Sequence, residues 1–167
     1  MGTRKLQRDL KKRNPFESVQ QEVVISIQRT SDQLQYRFSQ LFKEYGLTRP
    51  QYNILRILKG EGKPLPSLEI RRRMVTKVPA STSLVDKLIE RELVKRSQSA
   101  TDRRIWYVEL TAKGHDLVTK VGAPNLELHS ELVGHLSDAE CEQLLNLLEK
   151  TRAGISAHET TLSKNSV

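Results

Sequence analysis

Apolar positions recur every three and four residues across 17–45. Val23, Val24, Ile27, Leu34, Phe38, Leu41, Phe42 and Tyr45 form one stripe, which predicts a long amphipathic helix. Ser18 with Gln21 fits a capping box at its start, and Gly46 is placed to stop it. A second helix is expected after Leu47. Thr48 and Gln51 are spaced as a capping box, Leu47 and Tyr52 as a staple, and Tyr52, Ile54, Leu55 and Leu58 as core. Gly60, Gly62, Pro64 and Pro66 predict a loop. Ser67 is then expected to cap a helix over 68–75 that turns Leu68, Ile70 and Met74 inward. The next helix carries Leu84, Val85, Leu88 and Ile89 on one face, joined by the small Ser81. Its cap is Thr76 or Val78, because Pro79 is tolerated in a first turn.

The period then changes to two. Residues 93–97 (LVKRS) and 105–110 (IWYVEL) read as the strands of a hairpin. Trp106, Val108 and Leu110 are expected to face the core, with Tyr107 and Glu109 outward. Thr111 caps a further helix, and 112–158 reads as two helices. Pro124 should kink or interrupt the first, and Ser137 with Glu140 forms a capping box for the second. Leu144, Leu145, Leu147, Leu148 and Ile155 make a stripe there that needs a partner. The predicted fold is mainly α with a small β-wing (α+β).

Helix, turn, helix and a two-stranded wing is the order that sets one helix in a DNA major groove and the wing on the flanking minor groove. The polar side of the recognition helix holds Pro79, Ala80, Ser83, Asp86, Lys87 and Glu90, with Thr82 and Arg91 at its margins. Short side chains there allow close approach to base edges, and a hydroxyl can donate or accept. At the hairpin tip, Arg104 suits a narrow, electronegative minor groove, and Asp102 is placed to hold its guanidinium in a fixed fork. The candidate DNA-binding set is therefore Ser67, Arg73, Pro79, Ala80, Thr82, Ser83, Lys87, Asp102, Arg103 and Arg104. Ser67 and Arg73 enter it as phosphate contacts at the preceding helix.

Charge sharpens this picture. The chain carries a net +8 over 167 residues. Residues 1–13 hold six basic and one acidic residue, net +5, and residues 71–104 hold ten and four, net +6. Residues 125–167 hold three basic and seven acidic, net −4. Positive charge thus gathers on an N-terminal arm and on the winged segment, which points to a polyanion.

D-x-R, a strand, then L-T-x-x-G (Asp102, Arg104, Leu110, Thr111, Gly114) resembles the wing and exit of the MarR/SlyA family of bacterial transcription regulators. Residues 84–96 (LVDKLIERELVKR) and 46–58 (GLTRPQYNILRIL) are similar to that family's recognition-helix ending and second helix. The resemblance spans roughly residues 20–150. It departs at Ser83, where the family often has a basic residue, and at Glu92-Leu93, which replaces a common glycine-leucine turn. It implies a repressor acting as a homodimer on a pseudo-palindromic operator in double-stranded DNA. It also implies a small anionic or phenolic effector, for which Tyr36, Phe42 and Tyr52 are candidate lining residues. The domain plan is a basic flexible arm (1–16), one MarR-like domain (17–158) and a tail (159–167). Within that domain the winged unit covers 47–111, and the dimerisation helices cover 17–45 and 112–158.

Other chemistry finds little footing. No phosphate-binding loop, H-E-x-x-H or paired cysteines occur, and none of the four histidines is spaced i, i+4, so no enzyme, metal or cofactor is expected. The single cysteine, Cys141, excludes an internal disulfide. No apolar run nears a membrane span and the basic N-terminus lacks a signal-peptide core, so a cytoplasmic, nucleoid-associated protein without membrane partners is expected. The rival readings are a sequence-independent architectural DNA binder, with steep salt dependence and little preference, and a protein-interaction module with a vestigial winged fold.

Overall fold

The computed structural model describes residues 5–75 and 81–164, with the backbone alone at 81, 82 and 158–164. The described elements run α1 (Lys5–Asp9), α2 (Val19–Glu44), α3 (Arg49–Glu61), β1 (Leu65–Pro66), α4 (Ser67–Arg72), α5 (Ser81–Glu90), β2 (Val94–Gln98), β3 (Trp106–Leu110), α6 (Ala112–Val133) and α7 (Asp138–Lys164). This is the mainly helical, small-winged class expected. The chain divides into two compact units, Met1–Leu126 and Glu127–Val167. Among the described residues, no helix is long and apolar enough to cross a membrane.

In the first unit, capping chemistry sets the helix ends. Ser18 Oγ accepts from the Gln21 N–H at 3.1 Å, while the Gln21 side chain reaches Glu17, one residue before the cap. Gly46, at φ 65°, closes α2: the Leu47 N–H reaches Phe42 O and its own N–H reaches Lys43 O, both at 2.9 Å. Thr48 and Gln51 form the full capping box of α3, with Leu47 and Tyr52 both buried beside it. Ile54, Leu55 and Leu58 of α3 pack with Val85 and Leu88 of α5 and with Val94 and Val108 of the sheet to form the core. Burial of each such side chain supplies roughly 1.5–3 kcal/mol before its entropy is counted.

Several expectations are corrected. Within the arm, α1 is closed by the Lys12 N–H on Gln7 O at 3.1 Å and the Lys11 N–H on Arg8 O at 2.9 Å. A third strand, β1, joins the wing and pairs Leu65 with Val108 and Pro66 with Tyr107, giving the order β1-β3-β2. Two residues show no alternation to read, and Pro66 is tolerated only because β1 is an edge. Ser67 is not the cap of α4; Pro66 occupies that position, and the Ser67 hydroxyl instead donates to Trp106 O at 3.2 Å. The helix ends at Arg72, short of residue 75. The alternative caps Thr76 and Val78 lie outside the described residues. Trp106 shares a face with Val108 yet is 41% exposed, because the hairpin outruns the core. In the second unit the Ser137–Glu140 capping box is present, with the Glu140 N–H on Ser137 Oγ at 3.4 Å and the Ser137 N–H on Glu140 Oε2 at 2.9 Å. Helix α6 continues through Pro124, and α7 runs to Lys164.

One junction fixes the wing. Helix α5 ends with the Leu93 N–H on Leu88 O at 2.9 Å and the Glu92 N–H on Ile89 O at 2.8 Å, a Schellman motif. Its left-handed position is Glu92, φ 59°, where glycine is favoured. Leu93 O then accepts from the Thr111 N–H at 3.2 Å, and Thr111 Oγ1 donates to Glu92 O at 2.6 Å while accepting from the Gly114 N–H at 3.0 Å. A Cβ at Gly114 would overlap Leu93 O. Gly114→Ala is therefore expected to destabilise the fold by roughly 2–3 kcal/mol through a backbone clash. Glu92→Gly relieves the left-handed residue and is expected to raise Tm by roughly 2–4 °C, from about 1 kcal/mol of relief. Thermal melting checks both, and a Gly114→Ala chain melting like the parent would remove the close approach.

Candidate nucleic-acid interface

Helix α5 buries Val85 and Leu88 and turns Ser83 and Lys87, one turn apart, to solvent. Asp86 stands between them, half-buried. Pro79 and Ala80 lie outside the described residues, as does the side chain of Thr82; so does that of Ser81, which was expected on the packed face. The far end of α5 is tied down by Arg91, whose Nη1 donates to Gly46 O at 2.5 Å. This fastens α5 to the α2–α3 turn.

Short polar side chains build the hairpin tip. Ser99 Oγ accepts from the N–H groups of Thr101 and Asp102, both at 3.3 Å. The Ser99 N–H donates to Ile105 O, and the Ile105 N–H to Asp102 O, each at 3.0 Å. Gln98 donates its amide to Arg103 O at 2.6 Å. Asp102 Oδ1 accepts from the Arg104 backbone N–H at 2.9 Å. The expected fork between Asp102 and the Arg104 guanidinium is thus replaced by an Asx turn, which shapes backbone. Both arginine side chains project into solvent, and neither has a carboxylate partner among the described residues.

Other cations of this segment are already engaged. Arg73 lies between Glu61 Oε2 at 2.6 Å and Glu69 Oε1 at 2.7 Å, joining α3 to α4. It was expected on phosphate; here its two carboxylates hold it as an exposed strut between α3 and α4. The Glu61 carboxyl is held below its usual range, first by the bond from Arg73 and then by that from Lys63. Its contribution to stability is present above the ordinary carboxylate pKa of about 4.3 and fades as pH falls through the lowered folded value. Ser67 is likewise committed to Trp106 O. Lys95 pairs with Glu109 at 3.2 Å and Lys113 with Glu92 at 2.9 Å, both exposed pairs of small worth. Among the described cations of this segment, Lys87, Arg103 and Arg104 are exposed and make no ion pair with another described residue, and neither does the exposed Arg71.

The three candidate effector residues do not converge. Phe42 and Tyr52 stack in the core with ring centroids 4.3 Å apart, and burial raises the Tyr52 hydroxyl above its usual pKa against the opposing charge of Arg56. Tyr36 is 63% exposed on α2.

Asp102→Ala is expected to speed exchange of the Arg104 amide, whereas Asp102→Asn, which keeps an acceptor oxygen, leaves it protected. Hydrogen exchange followed by NMR distinguishes them, and equal exchange in both variants would argue against the Asx turn as the tip's organiser.

Residues 47–106 match the model of the MarR family. The HTH-type transcriptional regulator MgrA of Staphylococcus aureus is 32% identical over 136 residues, covering 77% of this chain and 84% of MgrA. A MarR transcription factor from Planctomyces limnophilus has a similar structure, with TM-score 0.63 and 32% identity over 81% of this chain and 98% of that one. A mutant MarR from E. coli, solved complexed with operator DNA, shares the fold at TM-score 0.71 and 20% identity, over 81% of this chain and 99% of that one.

Proposed function

The chain belongs to the MarR family, and from that premise we propose that it is a DNA-binding transcription regulator, a repressor that reads a pseudo-palindromic operator as a homodimer. The observation that carries the reading is the wing tip. Its backbone is organised by Ser99 and Asp102 so that Arg103 and Arg104 stand exposed without carboxylate partners among the described residues. Lys87 and Ser83 on α5 supply the second element. In this assignment Arg104 enters the minor groove, Arg103 lies on phosphates, and Ser83, Thr82 and Lys87 meet bases or phosphates in the major groove. That E. coli MarR was solved with operator DNA on the same fold supports the docking.

The homodimer is supported by apolar surface. Leu144, Leu145, Leu147 and Ile155 of α7 are exposed within the second unit, as are Val19, Val23 and Val24 of α2 within the first. Clustered exposed apolar side chains of this kind mark an interaction surface. Two copies related by a two-fold axis match two half-sites about one helical turn apart. Residues 17–158 then act as one MarR-like domain. Release by an anionic or phenolic effector follows the family resemblance; the separation of Tyr36 from the Phe42–Tyr52 stack gives no single lining for it. A regulatory, non-enzymatic role in the cytoplasm, at the nucleoid, completes the reading.

Selection of bound duplexes from a random pool at two salt concentrations tests it. A pseudo-palindrome retained at the higher salt is expected; unrelated sequences lost together as salt rises would support the architectural alternative. On the selected duplex, Arg104→Ala is expected to weaken binding tenfold or more, about 1.4–3 kcal/mol. Lys87→Ala should weaken it moderately and lower the salt slope by about 1. Unchanged affinity in both variants would sink this face. Sedimentation equilibrium should give a dimer of the 19.1 kDa chain.

A further inference from the structure

Two side chains continue the inner face of the hairpin beyond the core. Strand register places Val94, Arg96 and Gln98 opposite Leu110, Val108 and Trp106 on that face. Val94 and Val108 are buried, but further toward the tip the face ends in a stack. The Arg96 guanidinium carbon lies 4.9 Å from the centroid of the Trp106 ring. The same guanidinium reaches across to α5, where its Nη1 is 3.5 Å from Asp86 Oδ1. The Trp106 carbonyl meanwhile accepts from Ser67 of α4 at 3.2 Å. Asp86 sits between Ser83 and Lys87 on the helix proposed to read bases.

We infer that Arg96 is a positioning residue that, stacked on Trp106 and paired with Asp86, fixes the angle between the wing and α5, and with it the placement of Arg104 relative to Lys87 on DNA. The inference rests on the DNA-binding reading above. Its physical basis is leverage. Pairing with β1 stops at Tyr107, so the outer hairpin hangs on the Leu93–Thr111 junction, the Ser67 bond and this stack. From Leu110 to Arg104 is six residues, roughly 20 Å of strand, so a tilt of about 5° at the base moves the tip by roughly 2 Å. Shifts of that size separate a formed from an unformed groove contact. The exposed ion pair alone is weak. With its guanidinium over the Trp106 ring, Arg96 also meets Asp86, so the ring and the carboxylate together restrict its orientation. A lysine there would keep the charge and lose the plane.

The test uses the full chain and the duplex selected from the random pool, beside a scrambled duplex. Arg96→Lys and Trp106→Leu are each expected to weaken the selected duplex about fivefold, with much less effect on the scrambled one. The salt slope should stay unchanged, because no phosphate contact is lost. Trp106→Phe, which keeps a ring beneath the guanidinium, should restore affinity to within about twofold. Trp106 is the single tryptophan of the chain, so its emission reads the stack directly, and Arg96→Lys should change it in the DNA-free protein. Full affinity in Arg96→Lys would overturn the inference, since a point charge would then suffice, as would parental binding by Trp106→Leu or a lowered salt slope in either. If the parent chain itself shows no preference between duplexes, the regulator reading fails, and the stack is then judged by emission alone, unchanged emission in Arg96→Lys overturning it. Circular-dichroism melting of each variant separates these effects from unfolding.

Discussion

The backbone of Leu93 is the constraint on which the winged unit depends. Its N–H closes α5 on Leu88 O, and its carbonyl receives the Thr111 N–H at the end of β3. The α-carbon of Gly114 approaches that same carbonyl so closely that no side chain fits between them. Four elements therefore meet at one peptide: the end of α5, the start of β2, the end of β3 and the first turn of α6. Fixing them together sets the direction in which the hairpin leaves the core. The Schellman closure demands a left-handed residue at Glu92, and the strain of a glutamate there is accepted because Thr111 binds its carbonyl from the other side.

Charge is divided between framework and surface in a way that a net value hides. The ten cations of residues 71–104 yield a net +6, which reads as a uniform basic face. Arg73 is consumed by Glu61 and Glu69, Arg91 by the Gly46 carbonyl, and Arg96 by Asp86 and the Trp106 ring. Each of these joins two elements of the helix-turn-helix or wing. Among the described cations, Lys87, Arg103 and Arg104 are exposed and make no ion pair with another described residue, and they sit on α5 and on the hairpin tip. Stiffening the scaffold with some arginines lets others remain extended toward a ligand without a local anion to collapse on.

Much of this was legible beforehand, for reasons that differ by element. Capping boxes at Thr48 and Ser137 and the stop at Gly46 are local, so spacing alone announces them. The buried sides of α3 and α5 follow from a period that only a helix satisfies. L-T-x-x-G could be matched to a family, but its cause, the Leu93 carbonyl, lies about twenty residues away and is invisible locally. Long-range partners account for the other differences. Ser67 looked like a cap because its true acceptor is 39 residues on, and Arg73 looked free because Glu61 precedes it by a loop. Alternation put Trp106 on the correct face but could not say that the core ends before it. Asp102 was read for its side-chain neighbour when its nearer obligation was the backbone of the turn.

That last distinction bears on how such a wing reaches DNA. If Asp102 gripped the Arg104 guanidinium, the arginine would arrive at the groove already paired, and a carboxylate would arrive with it, close to phosphate. Committing the carboxylate to the Arg104 amide instead leaves the guanidinium all its donors. The consequence is that nothing at the tip orients the side chain itself. Orientation must then come from below, from the backbone angle of the hairpin as a whole. The residues able to set that angle are those that cross from β2 and β3 to the helices: Thr111 at the base, Ser67 on the Trp106 carbonyl, and Arg96 on both the Trp106 ring and Asp86. In the proposed complex, a free guanidinium at the end of a braced lever would combine a strong, flexible contact with a fixed distance from α5. A second copy related by a two-fold axis would repeat that distance on the other half-site, so an error in wing angle would count twice in the energy of one operator.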